Sequence, residues 1–123
     1  MNRFINWFAL AAITCGLFAS PAVTAALAAP IVLVDQYHDQ RFLIEKEDPL
    51  QLSALATILK DDGWSVKSSP EPFTAELLNG VDAVIISGPF RAIELPEVEA
   101  LLRFLERGGR LAVMLHVVRR HLA

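Results

Sequence analysis

Apolar and polar positions divide the chain into a leader and an alternating body. From Phe4 to Ala29 no residue is charged, and the stretch FINWFALAAITCGLFA runs up to Pro21 before AVTAALAAP. Beyond it, IVLV (31–34) is a short, β-branched apolar run, the pattern of a strand buried on both faces. A polar loop, 35–48, separates it from Leu52, Leu55, Ile58 and Leu59, whose three- and four-residue spacing predicts one apolar helix face. Asp48, Pro49 and Gln51 stand as N-cap, first helical position and capping-box partner, and Gly63 ends that helix. WSVKS (64–68) predicts a more polar, edge-like strand, and FTAELLNG a short helix capped by Thr74 and closed by Gly80. VDAVIIS (81–87) is a third, nearly continuous apolar strand. Pro96 opens a helix through EVEALLRFLERGG, with Val98, Leu101, Leu102 and Leu105 facing inward, and RLAVMLHVV (110–118) is a fourth strand.

Strands separated by single helices form βαβ units and a parallel sheet. The expected fold is therefore α/β, a flavodoxin-like three-layer parallel sheet in the order 2-1-3-4. In such sheets ligands bind outside the carboxyl ends of the strands, where the winding reverses between strands 1 and 3. The loop DQYHDQRF (35–42) leaves strand 1 there, GPFR leaves strand 3 beside it, and His116 stands at the end of strand 4.

Composition changes the picture in three respects. The chain is 54% hydrophobic, and the excess sits in the leader: Arg3 followed by an apolar core and the small-residue pattern Ala26-Leu27-Ala28 is a secretory signal peptide, with cleavage expected after Ala28. That divides the chain into residues 1–28, the leader, and 29–123, the domain, and predicts an exported, periplasmic or envelope protein. An uncleaved leader would be its one membrane contact. Without residues 1–28 the chain keeps ten basic and fourteen acidic residues, net −4, and has no basic patch for nucleic acid. The single cysteine, Cys15, lies in the leader, so the domain has no disulfide, no cysteine nucleophile and no thiolate metal site.

Several residues resemble a known family. The loop DQYHDQRFLI, the helix DPLQLSALATILKDDGW, VDAVIISGPF and EVEALLRFLERGGRLAVMLH together resemble the class I glutamine-amidotransferase-like superfamily. Within it they are most similar to exported domains related to auxiliary proteins of gliding-motility-type ABC transporters. The resemblance spans about residues 30–117. It implies that Ser87-Gly88-Pro89 matches the family's glycine turn, with the Gly88 amide as candidate oxyanion donor, and that Met114 stands near the position of the nucleophilic cysteine. Methionine is no thiolate nucleophile, so the resemblance implies the fold and the cleft and argues against the activity. Such domains continue with further strands and helices, so the resemblance also implies that the domain is incomplete at residue 123, or a minimal version.

The candidate ligand-binding residues are Asp35, His38, Arg41, Gly88 and His116. Asp35 and His38 fit either acid–base work or loop hydrogen bonding. Arg41 fits a carboxylate or phosphate clamp, or an ion pair with Asp35 or Asp39. Gly88 fits an anion-binding turn or an ordinary one. Asp35 and His38 are fewer than the three protein ligands of a catalytic zinc site, and neither a metal nor a cofactor is expected. Phosphate loops, dinucleotide fingerprints and serine elbows are absent, and Ser87 occupies the place where a receiver domain has its phosphoacceptor aspartate. The leading expectation is a non-catalytic exported binding or scaffold domain serving an envelope transport system. It takes an envelope partner or a second copy along the strand 4 edge, with a small polar ligand as a further option. The alternatives are a hydrolase acting on an amide or sugar-like substrate in the strand-end cleft, and a fragment without independent function.

Overall fold

A computed structural model describes residues 27–115. Its elements are β1 (Ile31–Asp35), α1 (Ser53–Asp61), β2 (Ser65–Ser69), β3 (Ala83–Ser87), α2 (Leu95–Glu106) and β4 (Arg110–Met114). The four strands form one parallel sheet in the order β2-β1-β3-β4, the flavodoxin-like arrangement that the alternating pattern predicts. Residues 1–26 of the leader and His116 lie outside the described residues, and the expected cleavage site after Ala28 falls in the exposed, irregular segment before β1.

The two-residue period of the strands sorts their side chains onto two faces. Val32, Val34 and Ile85 point toward α1 and pack with Leu52, Leu55, Leu59, Trp64 and Val66. Leu33, Val84 and Ile86 point the other way and pack with Phe73, Leu78, Ala100, Leu101 and Phe104. Helices on opposite faces follow from right-handed crossovers, because α1 carries the chain one way across the sheet and α2 the other.

Three local expectations fail for identifiable reasons. Helix α1 starts at Ser53, with Leu52 as a cap that makes no side-chain bond, rather than at Pro49. Residues 48–51 form their own turn, closed by the Gln51 amide on the Asp48 carbonyl (3.0 Å), and Leu50 is left-handed at φ 71°, which no helix tolerates. The Gln51 side chain, cast as a capping partner, instead accepts the Leu43 amide at 2.8 Å and ties down the preceding loop. The segment 74–80 is a run of turns rather than a helix. Thr74 does accept the amide of Leu77 through its hydroxyl, and Gly80 takes the left-handed conformation (φ 73°) that closes the segment.

The third difference concerns α2. Its buried residues are Glu97, Ala100, Leu101 and Phe104, whereas Val98, Leu102 and Leu105 are 37%, 53% and 40% exposed. Both sets have helical spacing. Phe104 decides between them: its ring is fully buried, and its face covers Gly109, whose missing side chain leaves the ring its space. Arg107 on the same flank donates to the Leu78 carbonyl at 2.8 Å and fixes the roll of the helix.

Candidate functional site

The chemistry expected at the strand tips is present but turned inward. The last residue of β1, Asp35, is 1% exposed, and His38 is 0% exposed. A turn after β1 is set by Asp35 itself, whose Oδ1 accepts the Tyr37 amide at 3.0 Å. That turn returns the His38 ring over the strand end, with Nδ1 2.8 Å from Asp35 Oδ2. Gln40 Nε2 donates to the same oxygen at 2.7 Å. On its other side the ring meets Glu97, with Nε2 3.2 Å from Oε1 and 3.3 Å from Oε2. Phe73 stacks on the ring at 5.4 Å between centroids, and Tyr37 meets it edge-on at 5.1 Å.

Glu97 connects this cluster to the rest of the fold. Its carboxylate accepts the Phe73 amide (2.9 Å) and the Glu94 amide (3.0 Å), the second as half of a capping box with Glu94. Burial pushes its carboxyl up, but the Glu94 and Phe73 amides and then His38 outweigh burial and hold it below the ordinary glutamate value. The His38 ring lies between two carboxylates, Asp35 at Nδ1 and Glu97 at Nε2. One imidazole thus joins β1, α2 and, through Glu97, the crossover between β2 and β3.

The crevice above is closed by its own loops. The His38 carbonyl accepts the amides of Phe90 (2.9 Å) and Arg91 (3.2 Å), which pins the loop after β3 to the loop after β1. Arg41 lies over the Phe90 ring at 4.5 Å, and Arg91 over Tyr37 at 4.8 Å and 4.0 Å from Asp39. Gly88 is left-handed at φ 66° and its amide donates to the Met114 carbonyl at 2.7 Å. That bond takes up the N–H that an oxyanion would need. A small cleft remains between the ends of β3 and β4, lined by Phe42, Ser87, Gly88, Met114 and Leu115.

Of the five sequence candidates, Asp35 and His38 come together, Arg41 lies on the exposed rim, Gly88 lines the small cleft, and His116 is outside the described residues. Arg41 stacks on the Phe90 ring rather than pairing with Asp35. Glu97 and Gln40 are the members that the sequence reading missed. Glu97 carried a signal: it shares the three- and four-residue spacing of Ala100, Leu101 and Phe104, so a charge stood on the apolar face of a helix.

The arrangement also limits what the dyad can do. In a hydrolytic relay an acid orients the histidine through one nitrogen, and the other nitrogen faces a nucleophile. Here the other nitrogen faces a second carboxylate. Among the described residues, no group of three or more His, Cys, Asp or Glu is placed to hold a metal ion, and no helix is long and apolar enough to cross a membrane.

No protein-family model matches the chain, and no curated protein matches it. Among solved structures the chain is similar to an mmIFT52 N-terminal domain, with a TM-score of 0.62 and 28% identity over 69% of this chain and 35% of that one. The chain thus spans about a third of the length of that neighbour, and what the two share is the α/β sheet architecture.

Proposed function

We propose that the chain is an exported, non-catalytic binding or scaffold domain with an amidotransferase-like fold, serving an envelope transport system. One observation carries this reading: the free nitrogen of the Asp35–His38 pair is spent on Glu97, inside the protein, and not on a nucleophile. The bond from Gly88 to Met114 supports it, since the donor that would stabilise an oxyanion is engaged. Binding falls to what is exposed. The rim residues Arg41 and Arg91 offer cationic groups for a small polar ligand, and β4, which has β3 as its one strand neighbour among the described residues, offers its outer edge to a protein. The leader read from the sequence, Arg3 followed by an apolar core, supports export.

The test is cell fractionation combined with a photo-crosslinker at Val113, in the full chain expressed in its own host. Export with a discrete crosslinked species at Val113 is the expected result. Amide hydrolysis by the purified chain that disappears in His38→Gln would overturn the reading, as would retention in the cytoplasm.

A further inference from the structure

The two sides of the buried His38 ring are unequal. Nδ1 lies 2.8 Å from Asp35 Oδ2, whereas Nε2 lies 3.2 and 3.3 Å from the two oxygens of Glu97. Phe73 stacks on the ring and Tyr37 meets it edge-on. The titratable and charged groups about it are Asp35 at the end of β1, Glu97 on α2, Tyr37 on its own loop and, across the Tyr37 ring, Arg91 of the loop after β3, itself 4.0 Å from Asp39. Gln40, which shares Asp35 Oδ2 with the ring, is neutral.

We infer that His38 is a proton-operated latch between the loop after β1 and helix α2, closed when both ring nitrogens carry protons and open on the α2 side when one is lost. Ionised carboxylates only accept. A doubly protonated ring therefore donates to both, and a neutral ring has one N–H and one lone pair to share between them. The shorter contact selects the proton that stays. Asp35 is fixed by Gln40 on Oδ2 and by the Tyr37 amide on Oδ1, so Nδ1–H is the better-held donor. The neutral ring then turns its lone pair toward Glu97, and that contact becomes repulsive. Glu97 does not follow the ring, because the amides of Phe73 and Glu94 hold it on α2. What moves is the loop. The His38 carbonyl accepts the Phe90 and Arg91 amides, so release of His38 loosens the loop after β3 together with its own. Asp39, the next residue, is left-handed at φ 53°, a sparsely populated conformation that persists only while its surroundings enforce it. Burial raises the Glu97 carboxyl, but the Glu94 and Phe73 amides and His38 hold it below the ordinary glutamate value. It thus stays ionised where an imidazole ordinarily titrates, and the α2 side of the latch is constant there. Arg41 and Arg91 ride on the two loops, so the latch sets how firmly the rim is held, whatever the rim binds.

The test is nuclear magnetic resonance of the full 123-residue chain, isotope-labelled and in mild detergent. Spectra are compared at about pH 5.5 and about pH 9, either side of the ordinary imidazole range. The His38 ring should show both nitrogens protonated at the lower pH and Nε2 alone bare at the higher. Hydrogen-exchange protection of the Phe90 and Arg91 amides should fall about tenfold over the same step, the size of one charge-assisted hydrogen bond. The Gly109 amide, bonded to the Phe104 carbonyl at the far end of α2, should keep its protection, which separates local release from unfolding. In Glu97→Gln the side-chain amide can donate to a bare Nε2, so the step should vanish or reverse. The latch is refuted if the Phe90 and Arg91 amides show no step, if Gly109 loses protection with them, if Nδ1 loses its proton first, or if the step survives in Glu97→Gln. None of these results touches export or crosslinking at Val113, so the latch can fail while the binding reading stands.

Discussion

Glu97→Ala is the substitution that most directly tests how the His38 cluster holds the fold. The change removes three acceptor contacts at once. The Phe73 amide, buried, loses its partner, and an orphaned buried donor costs about 1–3 kcal/mol. The capping box at Glu94 is lost, at about 1 kcal/mol. The ring of His38 keeps Asp35 but loses its second carboxylate. The first two terms sum to about 2–4 kcal/mol, a large part of the ~5–15 kcal/mol that stabilises a domain. With a urea dependence of about 1–2 kcal/mol per molar, the unfolding midpoint should fall by about 2 M. The assay is urea unfolding followed by circular dichroism at pH 7, with Glu99→Ala as the control. Glu99 sits on the same helix, is exposed and makes only a 3.9 Å ion pair, so its removal should change stability by less than about 0.5 kcal/mol. If Glu97→Ala shifts the midpoint no more than Glu99→Ala does, the cluster does not hold the loops to α2.

Three further outcomes follow from the same structure. The Glu97 carboxyl is held below its ordinary value in the folded chain, so its contribution is present above the unfolded pKa of about 4.3 and is lost as pH falls through the lower folded value. Acid titration of stability should therefore be shallower in Glu97→Gln than in wild type below about pH 4, and identical slopes would contradict the assignment. A side chain at position 109 would lie 2.4 to 2.5 Å from three atoms of the Phe104 ring, so Gly109→Ala should destabilise by about 1–3 kcal/mol through overpacking, and Phe104→Leu should relieve part of that strain in the double variant. Arg41→Ala removes a contact with Phe90 that is exposed on both sides, and thermal unfolding should show a loss of about 1 kcal/mol or less.

The sheet order was legible because it follows from local facts. Short β-branched runs separated by single helices admit few topologies once crossovers are right-handed, and the apolar runs at 31–34 and 81–87 mark the central strands. The start of α1 was not legible. Asp48, Pro49 and Gln51 form a valid capping pattern, and what defeats it is distant: Gln51 is recruited by the Leu43 amide. The inward face of α2 was misread because two stripes share the helical period. Periodicity gives the spacing of a face and not its direction, and the direction was set by the fit of Phe104 over Gly109 and by Arg107 on Leu78.

The sequence by itself determined the class of fold, the strand order and the placing of Asp35 and His38 at the end of β1, since each depends on periodicity, turn chemistry and chain connectivity. Only the tertiary structure decided what those two residues do. Their meaning depends on Glu97, 59 residues beyond His38, and no local pattern records which way an imidazole turns. Packing turned it into the protein, under Phe73 and against a second carboxylate. An acid–histidine pair at a strand tip thereby became the link between loops and helix.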